Sequence, residues 1–174
     1  DACGGGMAGL EAFRAAMAEI VDRIERETQA DVLLITPNMM ATRDNDAVPE
    51  RWKPVIGQFV DAQNSGLLAV YAQTIRDLAA ARGTALADVY SRWEALVKSG
   101  VDTTSRLSNG INHPDAGMHD MAAQIIMEAI ERTADSIPWT HRGAQCADAQ
   151  GRHDPPCAQH PGAAPRRLGR SGRL

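Results

Sequence analysis

At 174 residues the chain is long enough for one domain of ordinary size with a sizeable core. Its hydrophobic content of 44% suits a globular protein, and seven aromatic residues leave most of the core to aliphatic side chains and methionine. Residues 1–139 hold 12 Lys and Arg against 20 Asp and Glu, a net charge of −8 that argues against a nucleic-acid partner there. No apolar run approaches the roughly 18 residues that a membrane span needs, so no span is predicted.

Hydrophobic periodicity predicts alternating helices and strands. A Gly-rich lead-in at residues 1–6 precedes a pattern typical of an amphipathic helix over 7–28, and residues 32–35 form a short apolar run that predicts a strand buried on both faces. The polar stretch 38–52 predicts a loop at the carboxyl end of that strand, where open α/β sheets bind ligands. Further along we expect a helix between 55 and 82, a strand at 85–89, a short helix at 91–98 and a last helix within 115–132. This alternation indicates α/β architecture for residues 1–138.

Composition changes after Pro138, where Gly, Pro, Ala, Arg and His dominate and the net charge of residues 139–174 becomes +4. Such a segment cannot bury enough apolar surface to fold, which predicts a disordered tail. The same mixture is expected from GC-rich DNA read in a shifted frame, and we favour that interpretation. The spacing of Cys146, Cys157 and the nearby histidines matches no zinc signature, so we predict neither a metal nor a cofactor.

His113 is the leading candidate for a catalytic residue. It lies in the segment Asn109-Gly110-Ile111-Asn112-His113-Pro114, directly before the last helix. Pro114 biases His113 away from helical geometry, so the imidazole is expected on a loop at the start of that helix. A histidine presented in this way can act as a general base. The alternative interpretation is a helix cap or a surface turn without chemistry.

Segment 109–114, followed by Gly117-Met118-His119, resembles the C-terminal block of the SGNH (GDSL-type) esterases and lipases. In that family a histidine followed by proline is the general base of acyl transfer, and His119 falls at a second small-residue–His position, where we favour a structural role. The start of the chain resembles the stretch after the family's Gly-x-Asn-Asp block, with Asp1 as its last residue. The resemblance covers residues 1–132. It implies a flavodoxin-like three-layer α/β/α fold, truncated at its N-terminus, and a small-molecule ester as substrate.

The chain departs from the family pattern in its catalytic partners. No Gly-Asp-Ser occurs, the glycine donor block is missing, and Gly110 stands three residues before the histidine, where an aspartate is usual. Asn109 could orient the imidazole instead, Asn112 is a further near-site residue, and Asp102 and Asp115 are alternatives. We therefore expect the isolated chain to be inactive, and a non-catalytic α/β interaction module or an inactive fragment stays as an alternative. Compartment and oligomeric state are left open.

Other candidate residues have competing interpretations. Cys3 could be a reactive thiol near the site, although a small half-buried cysteine is the favoured interpretation. Met39 and Met40 could line an acyl pocket or pack at the loop edge. Asp44 and Asp46 are interpreted as solvated acids.

Overall fold

Two short strands and six α-helices make up the part of the chain that the structure describes, residues 2–136, in a computed structural model. All of these residues belong to one compact unit. The helices are α1 (Ala2–Gly5), α2 (Leu10–Glu27), α3 (Ile56–Asn64), α4 (Leu67–Arg82), α5 (Val89–Lys98) and α6 (Ala116–Ser136); the strands are β1 (Leu33–Ile35) and β2 (Ala85–Ala87); short 3-10 helices span Met7–Gly9, Glu50–Val55 and Thr104–Arg106. Asp1, the proposed boundary at residue 138 and the tail 139–174 lie outside the described residues.

Strands β1 and β2 pair in parallel, with Leu33 opposite Ala85 and Ile35 opposite Ala87. Two parallel strands need a crossover connection, and here α3 and α4 lie in the sequence between them. The chain is therefore mixed α/β, mostly helical around a small parallel sheet, as the alternation of sequence patterns predicted.

Helices α2 and α4 cover one face of this sheet, and the other face is partly exposed. Leu34 is buried in a cluster with Val21 of α2 and with Ile75 and Ala79 of α4. Its neighbour Ile35 points to the opposite face, because successive strand side chains alternate. Ile35 is 45% exposed, so the prediction of a strand buried on both faces is wrong at this residue.

The larger core lies around Tyr90 and Trp93 of α5, which are 2% and 0% exposed. Aliphatic and methionine side chains from all parts of the described chain surround them, as the low aromatic content predicted. The Gly-rich lead-in is ordered rather than loose, since the Tyr71 hydroxyl of α4 donates a hydrogen bond to the Gly6 carbonyl at 2.7 Å.

Two element boundaries differ from those predicted. The single helix expected between 55 and 82 is broken at Gly66, whose φ of +79° is a left-handed conformation that stops α3 and restarts the chain as α4. Strand β2 ends at Ala87 rather than at 89, because Asp88 caps α5 by accepting a hydrogen bond from the Ser91 N–H at 3.2 Å.

Candidate functional site

The loop that carries His113 is closed at its base by backbone pairing. Leu107 and Pro114 form an antiparallel bridge, and the Ser108 N–H donates to the His113 carbonyl at 2.7 Å. A turn follows the bridge, with the Gly110 N–H donating to the Leu107 carbonyl at 3.0 Å. Both backbone ends of the histidine loop are therefore held in place before the chain enters α6.

Asn109 organises the inside of this loop. Its Oδ1 accepts hydrogen bonds from the backbone N–H groups of Ile111, Asn112 and His113 at 3.0, 3.0 and 2.9 Å. Its Nδ2 donates to the side-chain oxygen of Asn112 at 3.1 Å. The amide thus fixes the backbone from which the imidazole projects, and both near-site asparagines are engaged with the loop itself.

A second segment, residues 38–45, clamps the loop from outside. The Asn38 amide donates to the Asn112 carbonyl at 3.0 Å, the Ala41 N–H donates to the Ile111 carbonyl at 2.7 Å, and the Asn45 amide donates to the Gly110 carbonyl at 2.8 Å. This segment begins just after the carboxyl end of β1. The predicted loop at that strand end and the predicted histidine loop therefore form one structure.

Gly110 has no room for a side chain. Its φ is +67°, and a Cβ there would meet the Asn45 side-chain oxygen first, with the Val48 backbone nitrogen at 2.8 Å and the Ala47 carbonyl carbon at 3.0 Å. Real Cβ atoms essentially never approach closer than 3.0 Å, so backbone would have to move. An aspartate at this position would therefore need residues 45–48 or the loop itself to shift.

The His113 side chain is exposed and lines an open groove of about 440 Å³. Residues in and just before the 3-10 helix Glu50–Val55, one residue of α3 and three more residues of the histidine loop also line the groove: Pro49, Arg51, Trp52, Phe59, Asn109, Ile111 and Asn112. An imidazole on a fixed backbone with solvent access can exchange protons with a bound molecule, which is the first requirement for a general base.

Neither carboxylate named as a possible partner contacts the imidazole. Asp102 forms a two-pronged ion pair with Arg43, at 2.9 and 2.7 Å, and this guanidinium lowers the pKa of Asp102. Asp115 pairs with Arg106 at 3.2 Å and caps α6 by accepting from the Met118 N–H at 2.9 Å. Among the side chains described for residues 2–133, no carboxylate forms a hydrogen bond or ion pair with the His113 imidazole.

His119 and His113 line different cavities. His119, in the first turn of α6, is exposed at a second cavity of about 300 Å³. Its backbone N–H donates to the Asp115 carbonyl at 3.0 Å, which is the ordinary helical bond of that turn. Trp93 lies in the wall of this cavity, and its Nε1 has no hydrogen-bond partner among the described residues. The two histidines are thus separate features of the surface.

A polar network joins the carboxyl ends of the two strands. The buried Thr36 hydroxyl donates to Asp88 at 2.9 Å and accepts from the Tyr90 N–H at 2.9 Å, while Arg76 donates to both oxygens of Asp88 at 2.8 and 3.0 Å. Burial raises the pKa of Asp88, but the hydrogen bonds from Arg76, Ser91 and Thr36 outweigh it, so the net shift is downward. The network anchors the start of the segment that clamps the histidine loop.

Sequence reasoning missed several residues of this region. The clearest signal overlooked was Asp88, an acid placed directly before an apolar helical pattern, where an N-cap is expected. Arg51, Trp52 and Phe59 gave no signal, because nothing local connects residues 49–59 with a loop some fifty residues further on.

The weaker candidates resolve into structural roles. Burial raises the pKa of the Cys3 thiol, and its Sγ lies 3.7 Å from the Met40 Sδ, which suits a half-buried cysteine rather than a reactive thiolate. Met39 and Met40 are 8% and 7% exposed in the core and are absent from the lining of both cavities described above. Asp44 is exposed and bonds Lys53 at 2.8 Å.

Within the described part of the chain, no group of three or more His, Cys, Asp or Glu side chains is arranged to hold a metal ion. The cysteines and histidines of the tail lie outside it. Nor does any helix in residues 2–136 combine the length and apolar character that crossing a bilayer requires.

Comparison with known proteins leaves the family open. No protein-family model matches the chain, and neither curated proteins nor solved structures give a significant match. The resemblance to SGNH hydrolases therefore rests on the sequence motifs at residues 1–6 and 109–119.

Proposed function

We propose that this chain is the histidine-bearing part of an ester hydrolase of the SGNH type, with His113 as the general base. The motif around His113 and the start of the chain support the family, and the parallel pairing of β1 and β2 is compatible with it. We propose further that the complete domain has the flavodoxin-like three-layer α/β/α fold that this family implies.

The observation that carries the proposal is an exposed imidazole on a backbone that is held from two sides. Three backbone N–H groups of the loop are held by Asn109, and three loop carbonyls are held by the segment that leaves β1. Some of these bonds satisfy backbone groups of the buried residues Gly110 and Ile111, as in any buried turn. The same restraints suit a general base, because proton transfer requires its nitrogen to come within about 3 Å of the reacting group.

The reaction would be acyl transfer to water through a serine ester. The serine hydroxyl oxygen forms a bond to the ester carbonyl carbon while His113 takes the hydroxyl proton. The carbon–oxygen bond to the alcohol then breaks, and the same proton goes to the leaving alcohol. Water repeats the sequence on the acyl-enzyme and releases the carboxylic acid. The Gly-Asp-Ser serine is not in this chain, and Gly110 has no room for the usual aspartate.

The coding sequence upstream of the first codon provides the first test. An in-frame Gly-Asp-Ser about 80 to 120 codons earlier would supply the nucleophile, since that length corresponds to roughly two βα units with their connections. An upstream sequence without this motif would overturn the proposal.

The second test measures catalysis by the product of the longer frame with p-nitrophenyl acetate. We expect turnover that falls about 100- to 10,000-fold in His113→Ala, the range for loss of a general base. His119→Ala is the matched control, because it removes an exposed histidine that lines the other cavity, and we expect less than about a twofold change. Turnover that persists in His113→Ala would contradict the assignment. The 174-residue chain alone should show only background hydrolysis.

The second candidate function is a non-catalytic α/β interaction module. One observation favours it: the imidazole of His113 has no carboxylate partner among the side chains described for residues 2–133. Under this reading the longer product hydrolyses nothing, and His113→Ala leaves its properties unchanged.

A further inference from the structure

The groove beside His113 differs in charge from the domain around it. Residues 1–139 carry a net charge of −8, yet the groove is lined by one arginine, one histidine and no carboxylate. The remaining lining residues are apolar, aromatic or neutral amides. An anionic ligand is therefore favoured here over a cationic one, although the domain as a whole repels anions.

Arg51 is the residue that gives the groove its charge. Most Lys and Arg side chains of the described residues form ion pairs with carboxylates, whereas Arg51, Arg92 and Lys98 do not. Of these three, only Arg51 lines the groove. Its guanidinium lies over one face of the Trp52 ring, 6.0 Å from the ring centre. Arg51 can thus accept a carboxylate without first breaking an ion pair within the domain.

Aromatic surface is the second property of the groove. Trp52 is 44% exposed, which is high for the largest apolar side chain, and Phe59 of α3 lines the same groove. A flat ring placed against them buries apolar area on both partners and gains the geometry preferred by aromatic pairs. The volume of about 440 Å³ is within the range of small-molecule sites.

We infer that the groove binds a small aromatic compound that carries an anionic group, with the ring against Trp52 and Phe59 and the anion against Arg51. This inference deepens the proposed function and rests on it in one respect: His113 in the same groove makes the compound the aromatic part of an ester substrate or its product. Arg51 is then a specificity-determining residue rather than a catalytic one.

The test is binding of sodium benzoate to the 174-residue chain, followed in proton–nitrogen correlation spectra of the tryptophan indole groups. The Trp52 signal is assigned from a Trp52→Phe variant, and the dispersion of the backbone signals reports the fold of every sample. Benzoate should shift the Trp52 signal in a saturable manner. Benzyl alcohol keeps the ring without the charge and should bind several-fold more weakly. Acetate keeps the charge without the ring and should give no saturable shift.

Arg51→Gln should weaken benzoate binding about threefold to fivefold, the effect of one exposed ionic contact, and should leave benzyl alcohol binding unaltered. Added salt should weaken benzoate binding to the original chain in the same direction. Arg92→Gln is the matched control, because Arg92 also lacks an ion pair but lies on α5 away from the groove lining. Three results would each overturn the inference. They are equal affinity for benzoate and benzyl alcohol, an equal effect of both arginine variants on benzoate binding, and the absence of a saturable shift of the Trp52 signal with benzoate.

Failure of this inference and failure of the proposed function are distinguishable, because binding is measured without turnover. If benzoate binds but the upstream sequence lacks Gly-Asp-Ser, the proposed hydrolase function is refuted and the inferred ligand class stands. Hydrolysis of p-nitrophenyl acetate that depends on His113, without a benzoate shift, would keep the hydrolase and remove the ligand class.

Discussion

Replacing Gly110 with alanine should destabilise the His113 loop far more than glycine replacements elsewhere in the chain. Gly110 combines two constraints, a φ of +67° and contact with the backbone of residues 47–48 on the side where a Cβ would be. The Asn45 side-chain oxygen is the nearest atom, and the next two are a backbone nitrogen and a carbonyl carbon, which cannot rotate away as the end of a side chain can. Either residues 47–48 or the histidine loop itself would have to shift.

The magnitude follows from adding these constraints. A non-glycine residue in the left-handed region costs about 1–2 kcal/mol, and overpacking against an immobile neighbour costs a further 1–3 kcal/mol or so. The free energy of unfolding should therefore fall by about 2–5 kcal/mol in Gly110→Ala. Gly83→Ala separates the cost of the left-handed backbone from the cost of the close contact, because Gly83 has a φ of +65° but no atom within 4 Å of the Cβ position. The free energy of unfolding of Gly83→Ala should therefore fall by only about 1–2 kcal/mol, the cost of the left-handed backbone.

Urea unfolding followed by circular dichroism measures these differences, provided that the slope with denaturant stays constant across the variants. Gly57→Ala in α3 is a further control. Gly57 has no positive φ and open space at its Cβ, so alanine should stabilise the protein by up to about 1 kcal/mol. If Gly110→Ala costs no more than Gly83→Ala, the close contact with residues 47–48 does not constrain the loop.

Two further predictions concern the polar groups that position the site. Asn109→Ala should lower the free energy of unfolding by about 1–3 kcal/mol, because three backbone N–H groups lose their acceptor. Asn109→Asp keeps that oxygen and should cost clearly less in the same urea assay. Equal losses of stability in the two variants would refute the role of these hydrogen bonds. The pKa of Asp88 is lowered in the folded protein, so its contribution to stability is complete above the ordinary value of 3.8 and disappears as the pH falls through the lowered pKa. Between about pH 5 and pH 2, Asp88→Asn should therefore lose less stability than the original chain does, and parallel pH profiles would contradict the network.

Local sequence patterns predicted most of the elements, and the exceptions have specific causes. Helix α2 was found from its apolar periodicity, and strand β1 was found from a short continuous apolar run. The break between α3 and α4 was missed although Asn64-Ser65-Gly66 is a stretch of turn-forming residues, because apolar residues at helical spacing resume at Leu67 and a single glycine does not reveal its φ. Ile35 was expected to be buried because a four-residue apolar run does not show how many strands and helices surround it.

For the candidate site, the sequence located the histidine but not its surroundings. Pro114 was enough to predict an imidazole on a loop before a helix, since proline restricts the residue that precedes it. The role of Asn109 was interpreted as orientation of the ring, whereas its oxygen serves three backbone donors. Asp102 and Asp115 were plausible partners by proximity in the chain, yet each is held by its own arginine.

By itself the sequence determined the mixed α/β character, the presence of two short strands, the position of His113 at a loop–helix junction and the lack of a Gly-Asp-Ser nucleophile. These depend on covalent restriction and on periodicity over one or two turns, which are properties of neighbouring residues. Only the tertiary structure decided that residues 38–45 clamp the histidine loop, that Gly110 admits no side chain, and that Arg51 and Trp52 share a groove with His113. Each of these depends on contacts between segments some fifty or more residues apart, and such contacts arise only when the whole chain packs around its core.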